Sequence, residues 1–578
     1  MSHPEKITAP LTAPLKILPL GGLGEVGMNM LLLEYEGSIV IIDAGLMFPE
    51  HDMLGVDIVI PNFTYLRDPS KKVLALFLTH GHEDHIGAVP YLLREMDVPI
   101  YGAPLTLGFL AEKLKEHQPH LLLSETGRPI EPRLISIKPR DPVSVGPFLV
   151  EAISVTHSVV DSFAYAITTP VGRIIHTGDF KIDPTPMGGA PLDVERFIEY
   201  GNEGVLALLS DSTNAERPGY TGSEKKVQES FERLFSEIEG RIIISTFSSN
   251  IHRIEQIAQI AFRHGRKIFF SGKSVVTNAR IAREMGYLSF PLEQISPLEE
   301  LRKTPDSQTV IITTGSQGEP MSALFRMATD EHKQIQIKPG DTVILSARVI
   351  PGNEKDISRV INHLFRKGAR VLHERIAPVH VSGHASQEEQ KKMLEWTRPR
   401  FFIPIHGEYR QLVSHAALAR ETGVGPDRIS IVEDGEELLL SPDRCEKGAS
   451  RPAGKVYIDG NGVGDVETST LKERRRLGSD GMIIVTLALE KEGGKIRSGP
   501  TILSQGFSFI DSEHPFWEEM EQTVENLFRQ WDAESNGTPD GALDGKEEIE
   551  TQIRRTLKKL ISKKMNRYPV IVPNVILI

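Results

Sequence analysis

Four metal-ligating side chains fall within six residues at His80-Gly81-His82-Glu83-Asp84-His85, directly after the apolar run VLALFLT. Imidazole and carboxylate suit Zn²⁺ or Mn²⁺, and this spacing across a turn offers one pair of ligands to each of two ions. A solvated polar loop is the bland alternative, but four such groups at the end of a buried strand make little sense unless a metal organises them. Glu83 is assigned no ligand role. Three more ligand-type groups close later apolar runs: His157 in AISVTHSVVDS, Asp179 in RIIHTGDF and His406 in FFIPIHGEY. His176, close to Asp179, reads as a supporting or packing residue. The chemistry of such a set is hydrolysis. Two cations about 3.5–4 Å apart lower the pKa of a shared water and stabilise the attacking and leaving oxygens.

The elements that must position these groups alternate between strand and helix. Residues 16–45 read as β structure, and the short apolar runs that follow end in His, Asp or Ser, placing polar groups along one sheet rim. From about 223 strand and helix alternate clearly: KKVQESFERLFSEIE, then RIIISTF, then NIHRIEQIAQIAFRHG ended by Gly265. KIFFSG, TVIITTGS and DTVILSAR continue the series, so this stretch reads as a separate doubly wound layer. SQEEQKKMLEWTR is a helix capped by Ser386, with Glu389 as its capping-box partner. Residues 446–478 are rich in Gly, Ser and charge and read as a linker. Beyond them come the strand MIIVTLALE, a charged helix and the apolar terminal strand YPVIVPNVILI.

Two short motifs are decoys. Gly22-Leu23-Gly24-Glu25-Val26-Gly27 matches the dinucleotide fingerprint, but a strand pattern follows it where the motif needs a helix, so a tight hairpin is expected. Gly272-Lys273-Ser274 looks like the end of a phosphate loop, yet the glycine required five positions upstream is Lys267.

Bulk composition bounds the rest. At 578 residues the chain needs several domains. Its 39% hydrophobic and 25% charged residues are those of a soluble globular protein. No apolar run reaches the roughly 18–20 residues of a membrane helix. The N-terminus shows no leader pattern, so a cytoplasmic enzyme without membrane attachment is expected. The single cysteine, Cys445, excludes a disulfide framework and a cysteine-rich zinc site. A net charge of −12 argues against broad non-specific nucleic-acid binding, while leaving room for a local basic channel or for metals that meet phosphate. The acidic loop Glu50-His51-Asp52 offers a possible hard-cation site, for which a solvated loop is the simpler reading.

The ordered series HxHxDH, His157, Thr177-Gly178-Asp179 and His406 resembles the metallo-β-lactamase superfamily. That resemblance implies an α/β fold, an αββα sandwich with two divalent metal ions per subunit at the sheet rim. His80, His82 and His157 would hold one ion, Asp84, His85 and His406 the other, and Asp179 would bridge them. The long interval between Asp179 and His406 requires an inserted domain, and its motifs resemble the β-CASP nucleases: Asp211-Ser212-Thr213, then His384, then His406. GGLGEVGMN, DAGLMFPE, LTHGHEDHIGA, TTGSQGEP, HVSGHAS, IPIHGEYR and PVIVPNVILI resemble the bacterial ribonuclease J family over nearly the whole chain. The expected layout is a metallo-β-lactamase domain in two parts (1–222 and 386–455), an inserted doubly wound β-CASP domain (223–385), a linker (456–474) and a small α/β C-terminal domain (475–578) that self-associates.

The resemblance implies a ribonuclease that works 5′ to 3′ on single-stranded RNA with a 5′-monophosphate and also cuts internally, in mRNA decay and rRNA maturation. Homodimers or higher oligomers and RNA-degradation partners are implied with it. Ser248, Ser249 and Asn250 lie before one helix start, and His380, Val381, Ser382, Gly383 and His384 before another. Both segments suit phosphate binding, with helix capping as the alternative. His384 is the candidate acid for the departing oxygen. Asp211 would orient it or contact the metal shell, and Asp179 would serve catalysis as the bridging carboxylate. The alternatives are another β-CASP endonuclease on RNA or DNA, or a small-molecule metallo-hydrolase of lactams or thioesters.

Overall fold

A computed structural model describes residues 13–117, 131–291, 294–460, 462–464, 466–490, 496–507, 514–534 and 545–578. The chain divides into two compact units, Met1–Phe48 with Ile58–Val456, and Pro49–Asp57 with Tyr457–Ile578.

The central strands of the first unit, such as Met30–Tyr35, Ser38–Ile42 and Ser162–Thr169, are buried along nearly their whole length because both faces are covered. In Ser162–Thr169, Phe163, Tyr165 and Ile167 enter a core shared by two sheets, whereas Ala164 and Ala166 face a helical layer. The first sheet has eight strands, in the order Cys445–Ser450, Glu436–Leu440, Leu15–Gly21, Met30–Tyr35, Ser38–Ile42, Lys72–Phe77, Ile100–Gly102, Leu134–Ser136. The second has six: Phe401–Ile405, Ala207–Asp211, Gly172–His176, Ser162–Thr169, Phe148–Val155, Val143–Val145. Leu15, Leu33, Val40 and Phe77 of the first sheet pack against Val150, Tyr165, Ile174 and Leu209 of the second. Helices Val194–Glu203, Gln387–Thr397 and Tyr409–Glu421 cover the outer face of the six-stranded sheet. Pro104–His117 lies against the far strands of the eight-stranded one.

Strand Phe401–Ile405 pairs in parallel with Ala207–Asp211, so the chain leaves the sandwich after Asp211 and returns to the neighbouring strand only at Phe401. Between them lies a five-stranded, all-parallel sheet: Lys267–Ser271, Thr309–Thr313, Ile242–Ser245, Thr342–Leu345, Arg370–His373. The chain leaves Ile242–Ser245 towards one edge and the adjacent Thr342–Leu345 towards the other. Their C-terminal ends therefore flank the crevice where doubly wound sheets bind ligands. The loops there begin with Thr246 and Ser346. The capping box at Ser386 and Glu389 forms as the sequence indicates.

Residues 22–29 depart from the expected tight hairpin. The flanking strands do pair antiparallel, but Leu23–Gly24 turns away to pair in parallel with Gly407–Glu408, immediately after His406. Gly22, Gly24 and Gly27, all at positive φ, permit that excursion.

In the second unit, Met482–Leu489 runs between Ile496–Gln505 and Val570–Leu577. Its alternation turns Ile483, Val485, Leu487 and Leu489 onto helices Pro515–Glu534 and Gly545–Met565, where they meet Met520, Val524, Ile553 and Leu557. Residues 456–474, expected to be a linker, carry most of the strand Lys455–Asp459 and the first half of helix Thr468–Asp480. Lys, Glu, Arg and Leu are strong helix formers, but only Leu471 of that helix is buried, so no apolar periodicity announced it. Asp52, in the loop considered for a hard cation, forms an ion pair with Arg475 at 2.6 Å. Among the described residues no helix is long and apolar enough to cross a membrane.

Candidate metal centre

His80, His82 and Asp84–His85 lie at the C-terminal end of strand Lys72–Phe77, His157 follows Phe148–Val155, Asp179 follows Gly172–His176, and His406 follows Phe401–Ile405. Adjacent strand ends of the two packed sheets thus deliver all seven side chains to one rim. Their donor atoms form overlapping groups, each with all members within 4.8 Å: His80, His82, His157 and Asp179; Asp84, His85 and His406; and Asp179, Asp211, His384 and His406. Asp179 is the hub. Its Oδ2 lies 3.6 Å from His80 Nε2, 3.3 Å from His85 Nε2 and 3.8 Å from His157 Nε2, and its Oδ1 lies 3.4 Å from His406 Nε2.

The outer hydrogen bonds decide which nitrogen of each ring faces inward. The Thr79 hydroxyl donates to Asp43 Oδ2 at 2.7 Å, so it must accept from His80 Nδ1 at 3.0 Å. His85 Nδ1 donates to the same Asp43 oxygen at 2.7 Å. His157 Nδ1 donates to the Gly383 carbonyl at 2.8 Å. The Thr213 hydroxyl donates to Asp211 Oδ1 and accepts from His406 Nδ1, both at 2.7 Å. Each of these four rings therefore carries a proton on Nδ1 and turns Nε2 towards Asp179, the arrangement that outer partners impose on metal-binding imidazoles. His82 points Nδ1 inward, 2.9 Å from His80 Nε2 and 3.2 Å from His157 Nε2.

Divalent cations fit this donor set. Asp179 Oδ1 and His406 Nε2 are buried without a hydrogen-bond partner, a costly state that a bound cation relieves. Burial first, and then neighbouring histidines, hold His80 and His157 well below the ordinary imidazole range; burial takes His82 down to about 4. All three are thus neutral, as ligands must be. Burial works against ionised Asp179, but His406, His85, His384 and His80 outweigh it and keep the carboxylate charged. Burial also opposes charge on His85, and there Asp179, Asp84 and Asp43 prevail and raise it well above its usual range. Carboxylates and clustered imidazoles, most of them buried, form a cradle for positive charge.

Backbone strain and close approach mark the same place. Asp43 and His406 adopt φ of 61° and 55°, where residues other than glycine are uncommon. A Cβ on Gly45 would lie 1.6 Å from the Asp84 carbonyl oxygen, and one on Gly383 would lie 2.5 Å from the His157 ring. The absence of a side chain at Gly383 thus makes room for the His157 ring.

His384 and Asp211 meet at the edge of the centre, Nδ1 to Oδ2, at 2.9 Å. Asn214 holds the segment in place, donating to the His384 carbonyl at 2.8 Å and to Ser382 Oγ at 3.0 Å. Glu389 does more than cap its helix, accepting from the backbone N–H groups of Ile182, Thr221 and Ser386, each at 2.8 Å. His380 Nδ1 is buried without a partner. Burial, and then the field of Arg253, Lys181, Arg348 and Arg217, keeps that ring well below its normal range. Val381 is half-buried beside it. Asn250 is spent on capping helix Ile251–Arg263, its Oδ1 accepting from Arg253 N at 3.0 Å. Ser248 Oγ accepts from Asn278, and Ser249 is half-buried in the same loop. The guanidinium of Arg253, fully buried, ties this loop to the other segment through Ser346 and the Val379 carbonyl, and it is neutralised by Glu224 at 2.7 Å. His176 accepts from Gly178 N at 3.1 Å, a supporting contact as expected.

Sequence reasoning did not single out Asn29, Asp43, Thr79 or Asn214. Asn29 donates to the Asp84 carbonyl at 3.0 Å and lies 3.2 Å from His85 Nε2. Asn29 and Asp43 end GGLGEVGMN and begin DAGLMFPE, one polar residue just before an apolar strand and one just after another, which was the available signal.

Comparison with known proteins agrees with this geometry. A family model described as metallo-beta-lactamase superfamily matches residues 23–236, and one described as ribonuclease J, beta-CASP domain, matches 239–364. A Zn-dependent metallo-hydrolase RNA specificity domain matches 368–431, and a ribonuclease J C-terminal domain matches 469–578. Ribonuclease J of Helicobacter pylori is 42% identical over 560 residues, 97% of this chain and 79% of that protein. Ribonuclease J of Thermus thermophilus is 42% identical over 569 residues, covering 97% and 95%. Ribonuclease J2 of Bacillus subtilis is 38% identical over 562 residues, covering 97% and 98%. A crystal structure of a protein of unknown function from Enterococcus faecalis shares the fold, with a TM-score of 0.50 at 17% identity over 74% of this chain and all of that one. With this level of identity to its named relatives sustained from the sandwich through the inserted sheet to the second unit, the chain belongs to the ribonuclease J family of metal-dependent ribonucleases.

Proposed function

We propose that the chain degrades single-stranded RNA from a 5′-monophosphate end in the 5′-to-3′ direction and can also cut internally, serving RNA decay and rRNA maturation in the cytoplasm. Two divalent ions, Zn²⁺ or Mn²⁺, would be held by His80, His82 and His157 on one side and Asp84, His85 and His406 on the other, with Asp179 between them. When bound, they supply an activated water and neutralise charge on the scissile phosphate. The chain's own residues do the rest. Thr79, Asp43, Thr213 and the Gly383 carbonyl fix the imidazole tautomers. Asp211 holds His384 by Nδ1, leaving Nε2 to deliver a proton to the departing oxygen.

The observation that carries the 5′-end reading is His380. Its buried, unpartnered Nδ1 sits among four cationic side chains, four residues from His384. A terminal phosphate bearing about two charges satisfies both the orphan nitrogen and Arg348 and Arg217, neither of which forms an ion pair with any described residue. Ser382 and the backbone of Val381–Gly383 line the approach, and the Ser248–Asn250 loop, tied in through Arg253, gives the inserted domain its share.

The test compares 5′-monophosphate, 5′-triphosphate and circular forms of one RNA. The monophosphate should be consumed fastest with release of mononucleotides. Exclusive, efficient cutting of the circle overturns the reading and leaves an endonuclease. We also infer self-association through the second unit, where Leu503, Val572 and Ile576 are exposed on its sheet. Light scattering of a variant with all three changed to Ser should show a smaller particle; an unchanged one contradicts this.

A further inference from the structure

The last helix, Gly545–Met565, turns Ile549, Ile553, Leu557 and Ile561 into the core of the second unit. Its other face is chemically divided. Glu547, Glu548 and Glu550 occupy the first turns, whereas residues 551–568 contain seven lysines and arginines and no carboxylate, in a chain whose net charge is −12. Three of the seven are tied down. Arg554 donates to the Ile571 carbonyl, Lys564 pairs with Glu519, and Arg567 pairs with Asp480. Arg555, Lys558, Lys559 and Lys563 are exposed and form no ion pair with any described residue.

These four fall at i, i+3, i+4 and i+8, on the face opposite the buried isoleucines. At 1.5 Å per residue they extend over about 12 Å of helix. The helix dipole favours cations only in the final turn, which accounts for Lys563 but not for Arg555, Lys558 or Lys559. Nor does intrahelical pairing account for them, since like charges four residues apart repel. A row of unpaired cations held at fixed spacing is complementary to a partner with regularly spaced negative charge.

We propose that this face binds the phosphodiester backbone of RNA, without regard to sequence, as a contact additional to those at the metal centre. The proposal rests on RNA being the substrate. It assigns to the second unit a task in retaining long RNA, and it reconciles the acidic composition of the chain with an anionic substrate, because the needed cations are concentrated on one helix. The physical driving force is release of counterions from the RNA, so the signature is salt dependence.

The test uses the full-length, metal-loaded protein, with R555Q/K558Q/K559Q beside the native sequence. Binding of uncleavable 2′-O-methyl RNA is measured by fluorescence anisotropy across a salt series. Each lost phosphate contact lowers the log–log salt slope by about 0.7, so an RNA of about forty nucleotides should lose a slope of about 2 and roughly tenfold or more in affinity at low salt. R555K/K558R/K559R, which keeps the charge, should behave as native. Turnover of a cleavable oligonucleotide of about six nucleotides at saturation should be unchanged in the triple variant, showing an intact fold and centre. An unchanged slope overturns the proposal. So does RNA binding that is unaffected while binding to phosphatidylserine vesicles is lost, which would make the face a membrane contact. If the native protein fails to cut the short RNA, the functional reading falls instead, and the binding slope still decides the role of the helix.

Discussion

His384 is bound by Asp211, Nδ1 to Oδ2 at 2.9 Å, while the same nitrogen lies 3.8 Å from Asp179 Oδ2. The shorter contact gives the ring an anionic partner and turns Nε2 away from it, an arrangement suited to proton delivery. His384→Ala is expected to lower kcat on saturating RNA by about 10²–10⁴ with metal content unchanged. Loss of one ion per chain on elemental analysis would make His384 a ligand, and near-normal turnover would remove it from catalysis altogether.

Asp43 touches no inward-facing ligand atom, yet it receives both Thr79 Oγ1 and His85 Nδ1. Asp43→Asn replaces one of the two acceptor oxygens of that carboxylate with a donor. The expected result is a loss in metal affinity of about 10–100-fold, read by titration against a competing chelator. An unchanged affinity would show that Asp43 serves only the fold.

Metal removal should have a thermal signature. The buried Asp179 Oδ1 and His406 Nε2 lie 3.4 Å apart and neither makes a hydrogen bond. Dialysis against chelator should abolish turnover and lower Tm, and added Zn²⁺ or Mn²⁺ should restore both. At a hundredfold excess over Kd, each bound ion adds about 2.7 kcal/mol to the folded state. A Tm indifferent to chelation would contradict the fit of cations to this centre.

How much of this was legible in the sequence differs from residue to residue. The seven inward-facing donors could be read because each sits at the end of an apolar strand, where its type is conspicuous. The capping box at Ser386 could be read because it is local. Thr79, Asp43 and Thr213 could not, because their roles depend on which ring nitrogen they meet across the sheet, and nothing in the spacing encodes that. Helix Thr468–Asp480 escaped because a helix that buries one side chain leaves no period to detect. The loop at 22–29 reads as a simple turn because its partner, Gly407–Glu408, lies beyond the whole inserted domain, out of reach of any local pattern.

A pH effect on stability should come from Asp434. Burial raises its carboxyl to about 8, with the negative charge of Glu25 and then of Glu433 adding to it, while Leu23 N donates to its Oδ1 at 3.1 Å. The folded value exceeds the unfolded one, near 3.9. The protonated form is therefore favoured by folding, and its stabilisation is fully present below about pH 4 and lost as pH rises to about 8. The urea midpoint of the native protein should fall across that interval more than that of D434N, which keeps an acceptor for Leu23 and cannot ionise. Parallel curves would sink the assignment.

The pairing of Phe401–Ile405 with Ala207–Asp211 also orders events during synthesis. Five of the inward-facing donors have been made once translation reaches His157, and the sixth is Asp179. His406, and the Gly383 carbonyl that orients His157, come only after the whole inserted sheet has been made. A ribosome-bound chain that stops short of Gly383 therefore lacks both the proposed ligand His406 and the carbonyl that holds the His157 tautomer. With His406 as the proposed ligand, the centre is completed only when the chain's largest detour has been made.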